Sequence, residues 1–171
     1  STTCTVLTLR IGLLGQKTDG NAFMDMFRVM DLAITRSSEL TELLGGTLDD
    51  FTVDTITMSW RHEETGACDA WKACRAAELL IEDFGRVNED SVVLDWLTGG
   101  CPIVPHFGVS YGTAWVGSYG SGQRLKYGCI GEIVDMSQTL TTVAKSQHSS
   151  IVLHVDAAEA VRGAYICKFL M

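Results

Sequence analysis

The chain has 171 residues, enough for one compact domain with its own core, and 46% hydrophobic against 20% charged residues makes it globular rather than disordered. A formal net charge of −8 argues against a nucleic-acid partner, whose phosphates need a basic patch, and against tight triphosphate binding unless cations are locally concentrated. No apolar run reaches membrane-spanning length and no signal or transit segment is visible, so direct membrane insertion by this domain is not expected. Reduced cysteines suit a cytoplasmic setting, which a cytosolic domain of a larger, membrane-tethered protein would share.

Thr3 to Ile11 reads as a strand rich in Thr, Val, Leu and Ile, and Gly12 to Gly20 as a loop. Asn21 is placed to cap a long helix to Leu44, with Phe23, Met26, Phe27, Met30, Ile34 and Leu44 on one apolar face. Gly45-Gly46 ends it, as a left-handed cap requires. Thr47 to Thr52 and Thr55 to Trp60 read as short strands about a tight turn at Val53-Asp54.

A second helix is expected from about Cys68 to Phe84, with Trp71, Cys74, Leu80, Ile81 and Phe84 facing inward. Arg86 to Cys101 reads as a variable connection. Val104 to Tyr111 and Ala114 to Tyr119 flank Gly112 as a strand pair, and Leu125 to Ile130 is a further strand. A helix follows from about Val134 to Lys145. Ile151 to His154, a short helix from Asp156 and a final strand Tyr165 to Leu170 close the chain. The six cysteines form no CxxC pair and no histidine stands at ligand spacing near them, which points to reduced, buried thiols.

This order predicts an α+β fold, a ferredoxin-like α/β sandwich with a mixed, mostly antiparallel sheet and helices packed on it. Periodicity carries the reading that far and says nothing of function.

The stretch GVSYGTAWVGSYGSGQRLKYGCIGEIVDMSQTL, Gly108 to Leu140, resembles the class III adenylyl and guanylyl cyclases. Their pattern is of the form GIHxGxxxxGxxGxxxRxxYxxxGxxVNxAxRL. Gly108, Gly112, Gly117, Gly120, Arg124, Tyr127, Gly131, Val134 and Leu140 fall in register with it. Upstream, GGTLDDFTVDTITMSW resembles the family's GGxxxKxxGDxxxxxF hairpin, and TVLTLRIG its first strand. The resemblance covers nearly the whole chain and implies a single cyclase homology domain, 1–171, expected to be cut from a longer protein.

In that family two aspartates hold two metal ions, which activate the ribose 3′-hydroxyl and neutralise charge developing on the α-phosphate. An Asn and an Arg four apart on a helix reach ribose and phosphate, and a Lys with an Asp reads adenine. The resemblance places Arg10 at the first metal aspartate and keeps the second as Asp54, with Val53 replacing the glycine before it. Asp50 stands at the purine-reading Lys and Gly128 at the second purine-reading position. Asp135 replaces the Asn and Thr139 the Arg. A guanidinium cannot ligate Mg²⁺, Asp50 reverses a charge, and Gly128 offers no side chain. The resemblance therefore implies a site altered at five of six positions. No cofactor is expected; Mg²⁺ or Mn²⁺ would enter only for a residual activity.

Three readings stay open from the sequence. One is a regulatory or dimerisation module that pairs with itself or with another cyclase-type domain. Another is a residual or partner-dependent cyclase, and a third is a small-molecule sensor using the vestigial cleft. Arg10 is expected to pair with Asp54 and fill the metal position, against the alternatives of solvent, Asp49, Asp50 or Asp135.

Overall fold

The structure is a computed structural model and describes residues 1–15, 20–62, 68 and 70–170. The chain runs β1(Thr2–Leu13), α1(Ala22–Leu43), β2(Thr47–Phe51), β3(Thr55–Arg61), α2(Trp71–Glu89), α3(Ser91–Thr98), β4(Ile103–Ser121), β5(Arg124–Ile130), α4(Glu132–Ser146), β6(Ile151–Leu153) and α5(Val155–Ala160). Six strands form a sheet in the order β2-β3-β1-β4-β5, with the short β6 pairing parallel to β4 and every other pairing antiparallel. The expected α+β sandwich with a mixed, mostly antiparallel sheet is the fold observed.

β1 lies between β3 and β4, and its alternate residues face two different layers. Leu7, Leu9 and Ile11 join the main core with Val29, Met30 and Leu40 of α1, Leu80 and Phe84 of α2 and Leu94 of α3. Cys4 and Val6 point the other way into a smaller cluster with Ala114 and Cys129, closed by Ile133 and Val134 of α4. Both faces of β1 are covered, so its alternate residues are buried in turn, Leu7, Leu9 and Ile11 on one side and Cys4, Val6 and Thr8 on the other. Helix α4 sits on this second face through small residues. A Cβ at Gly108 would meet the Ser137 carbonyl oxygen at 2.1 Å, so backbone lies directly on backbone there. Thr8 and Ser137 share a buried 2.7 Å hydroxyl contact across the same seam.

Several expectations are corrected. Val104 to Tyr111 and Ala114 to Tyr119 are one strand, because β4 pairs with β1 up to Ala114 and continues with β5 from Trp115, exchanging partner without turning. The connection at Arg86 to Cys101 is mostly helical. α2 runs on to Glu89, and Asp90 caps α3 by accepting 3.1 Å bonds from the amides of Val92 and Val93. Gly99, at φ 63°, ends α3 in the left-handed region.

Phe23 and Phe27 of α1 are 71% and 63% exposed, while Val29, Ala33, Ser37 and Thr41 supply buried positions beside Met30 and Leu40. The α1 stripe thus lies rotated from the most apolar one, because the small residues fit against the sheet. Asn21 holds the cap position with helical backbone and no side-chain cap bond. Trp71 is half-exposed. Tyr165 to Leu170 is not a strand, and Ile166 and Phe169 are exposed there. Cys4, Cys74 and Cys129 are buried, whereas Cys101 is half-buried and Cys68 and Cys167 are exposed. Part of the segment before α2, residues 63–67 and 69, lies outside the described residues.

Candidate functional site

The β2–β3 turn is built by Thr52 and Asp54. The Asp54 amide, at 3.4 Å, and the Thr55 amide, at 3.2 Å, both donate to Thr52 Oγ1. The Thr52 hydroxyl contacts Thr55 Oγ1 at 2.6 Å and reaches Asp54 Oδ1 at 3.3 Å. The turn is tied to β1 by the Ile11 amide, which donates to the Asp54 carbonyl at 2.8 Å. Val53 does not require positive φ; His148, at 51°, is the non-glycine residue in that region among those described. Val53 therefore leaves the turn unstrained.

Arg10 stands opposite Thr55 in the β1–β3 register, one residue from the turn. Its Nη1 lies 2.8 Å from Asp54 Oδ2, and its Nε donates to Thr141 Oγ1 of α4 at 3.0 Å. The Thr141 hydroxyl in turn donates to the Gln138 carbonyl at 2.6 Å. Arg10 thus joins three elements: its own strand, the hairpin turn and α4. The expected Arg10–Asp54 pair is present. The side chains are 29% and 36% exposed, so it is a partly wet pair rather than a dry one.

The other positions fall into two groups. Asp50 of β2 forms an ion pair with Lys126 of β5, and its Oδ1 accepts from the Phe51 amide at 2.8 Å. Gly128, on β5, lies against Asp49, whose Cβ would be 3.1 Å from a Cβ placed there. Asp49 is buried and accepts from Ser59 Oγ at 3.0 Å and the Cys129 amide at 3.1 Å, which fastens β2 and β3 to β5. Burial pushes its carboxyl up to about 6 from 3.8, with the two hydrogen bonds opposing the shift. Arg61 adds a further link, its guanidinium carbon 5.6 Å from the Tyr127 ring centre.

Asp135 and Thr139, by contrast, are exposed on α4, and Thr139 turns its hydroxyl back to the Asp135 carbonyl at 2.9 Å. They are not drawn into the Arg10–Asp54 cluster. Sequence reasoning missed Thr141 and Lys126, and considered Asp49 only as an alternative partner for Arg10, whereas it bonds Ser59 and Cys129. A threonine inside a helix carries no signal, and an Asp or Lys in a polar hairpin reads as solvated surface.

No family model matches the chain. Adenylate cyclase 1 of Rhizobium meliloti (strain 1021) is 29% identical over 118 residues, which is 67% of this chain and 17% of that protein. The crystal structure of the adenylyl cyclase CyaB from P. aeruginosa matches with a TM-score of 0.75 at 19% identity, covering 98% of this chain and 84% of that one. The non-canonical dimeric guanylyl cyclase domain of the RhoGC fusion protein from the aquatic fungus Blastocladiella emersonii matches with a TM-score of 0.69 at 12% identity, covering 97% and 86%. The chain has the class III nucleotide cyclase fold. This cyclase-homology domain spans less than a fifth of its curated relative, which is a longer protein.

The residues present do not fit the metal ions of the class III cyclases. At the β1–turn junction the cation beside Asp54 is the Arg10 guanidinium, whose charge repels Mg²⁺ and whose nitrogens have no lone pair to offer. Among the described residues no group of three or more His, Cys, Asp and Glu side chains gathers as a ligand set.

Two outcomes follow for stability. Arg10→Ala is expected to cost about 1 kcal/mol, and a double-mutant cycle with Asp54→Ala to return a coupling of about 0.5–1 kcal/mol by urea denaturation. A coupling indistinguishable from zero would show the pair to be decorative.

Asp49 binds its proton more tightly in the folded chain than in the unfolded one. Its contribution is therefore greatest below about pH 4 and is lost as pH rises through about 6. Asp49→Asn can keep both bonds, its carbonyl accepting from Cys129 and its amide donating to Ser59. Stability at pH 7 is expected to rise by about 1–3 kcal/mol, and the fall of stability between pH 4 and 6 to flatten. Parallel wild-type and variant curves across that window would disprove the assignment.

Proposed function

We propose that this cyclase-homology domain makes no cyclic nucleotide and serves as a pairing or regulatory module in signalling. The observation that carries the reading is the Arg10–Asp54 ion pair with its brace to Thr141. A side-chain cation fixed by the chain itself stands where the resemblance puts a metal, so the retained aspartate is already engaged. Asp50 and Lys126 repeat the pattern at the purine edge, where an internal ion pair replaces a ligand-reading lysine. Asp135 and Thr139 supply no positive charge for a polyphosphate. Losing one charge stabiliser of a transition state costs on the order of 3 kcal/mol, and several are altered here.

Support for pairing comes from exposed apolar side chains on the β2–β3 turn and the β4–β5 hairpin. Phe51 and Val53 project from the turn, and Trp115 and Ile130 form a cross-strand pair that is 71% and 49% exposed. The partner is proposed to be a second copy or another cyclase-type domain, in keeping with the dimeric guanylyl cyclase domain above.

The deciding experiment incubates the purified chain with ATP or GTP and either Mg²⁺ or Mn²⁺. No cyclic AMP or cyclic GMP above a denatured control is expected, and turnover would establish the residual-cyclase reading instead. For pairing, sedimentation velocity is expected to show a concentration-dependent dimer that Trp115→Asp abolishes. If the wild type stays monomeric at high micromolar concentration, self-pairing fails and a different cyclase-type domain becomes the candidate.

A further inference from the structure

Two cysteines from different strands, Cys4 of β1 and Cys129 of β5, share the small buried cluster on the second face of the sheet, at 0% and 6% exposed. We infer that they are a redox site, at which a hydroperoxide joins the two sulfurs in a reversible disulfide that clasps β5 to β1. The inference stands apart from the proposed function and holds whether or not the chain turns over a nucleotide.

The backbone brings the pair together. β1 and β5 are not neighbours in the sheet, since β4 lies between them. β4 leaves β1 at Ala114 and pairs with β5 from Trp115, which carries β5 back over the face of β1. Cys129 is fixed there from both sides. A Cβ at Gly128 would stand 3.1 Å from the Asp49 Cβ, and one at Gly131 would stand 3.4 Å from Ala114 Cα. The Cys129 amide donates to Asp49 at 3.1 Å, and Asp49 also holds Ser59, the register partner of Val6 on β1. Cys129 is thereby set over the stretch of β1 that carries Cys4 and Val6. The thiols are hydrogen-bonding neighbours, with the Cys129 S–H directed at the Cys4 sulfur, while Cys4 Sγ donates to the Thr2 carbonyl at 3.8 Å. Cys74 is buried in α2 against the main core, on the other face of the sheet.

The chemistry balances with the hydroperoxide as the two-electron oxidant. The Cys4 sulfur attacks the O–O bond. An S–O bond forms, the O–O bond breaks, and the departing oxygen takes the thiol proton and leaves as water or an alcohol. The Cys129 sulfur then displaces the hydroxyl from Cys4. The S–S bond forms, the S–O bond breaks, and the second water leaves with the Cys129 proton. The oxidant enters by local opening of β5. Among the described strands β5 pairs with β4 alone, and beyond that it is held by Asp49 and by the Lys126–Asp50 ion pair. Closing the disulfide removes that opening. It also fixes the β4–β5 hairpin at Ile130, the residue after Cys129.

The test takes the full chain, fully reduced, and treats it with hydrogen peroxide at neutral pH before quenching with catalase. After unfolding and alkylation, proteolytic mapping is expected to return a peptide joining Cys4 to Cys129 that disappears with dithiothreitol. Amide hydrogen exchange across β5 is expected to slow at least tenfold on oxidation and to recover on reduction. Oxidation of the exposed Cys68 or Cys167 would not produce that change. Cys129→Ala keeps a small apolar side chain in the cluster and is expected to abolish both effects. The wild-type peptide map decides the matter independently of how well that variant folds. Cys4 and Cys129 both alkylated after oxidation, a link that forms only in urea, either residue joined to a different cysteine, or unchanged exchange across β5 would each overturn the assignment.

Discussion

Helix α4 rests on the sheet with no room for a methyl group between it and Gly108, and this contact sets the geometry of the whole second face. The inner residues of α4 are correspondingly small or hydroxylated: Ser137, Thr141 and Ala144. Close approach puts the Ser137 hydroxyl on Thr8 and the Thr141 hydroxyl within reach of the Arg10 guanidinium. A larger residue at Gly108 would lift the helix and break both bridges together. The cleft is therefore shaped by a seam of small residues, and its charges are held by that seam.

On this frame stand two ion pairs that link separate elements. Arg10 and Asp54 neutralise each other at the β1–turn junction, and Lys126 and Asp50 do so between β5 and β2. Both pairs are partly exposed, so each contributes little to stability on its own. Their consequence is electrostatic. Each sets a cation of the chain against an aspartate, so neither Asp54 nor Asp50 stands as an uncompensated charge. Asp49 works differently, as a desolvated carboxylate that fastens the β4–β5 hairpin to β2 and β3 at some cost at neutral pH.

One strand organises this arrangement. β1 is buried on both sides, with the helical layer of α1, α2 and α3 on one face and α4 with the hairpin on the other. β4 carries the fold from one region to the other by exchanging β1 for β5 midway along its length.

The glycine spacing from Gly108 to Gly131, the β2–β3 hairpin and the apolar first strand were enough to indicate the α+β fold and its likeness to class III cyclases. The expectation that Arg10 meets Asp54 came from the resemblance, which sets the two positions facing each other about one metal site; the strand register puts Arg10 opposite Thr55, next to Asp54. The sequence left α3 undetected, although Asp90 and Gly99 stand as its start and stop signals, because an eight-residue helix is too short for a period to show. It misjudged the buried face of α1, since hydrophobicity favours Phe23 and Phe27 while the space against the sheet admits Val29, Ala33 and Ser37. Partners such as Thr141, Lys126 and Asp49 were decided by the tertiary structure, as were the continuity of β4 and the meeting of Cys4 with Cys129. These depend on distances between residues far apart in the chain, which local periodicity and spacing do not encode.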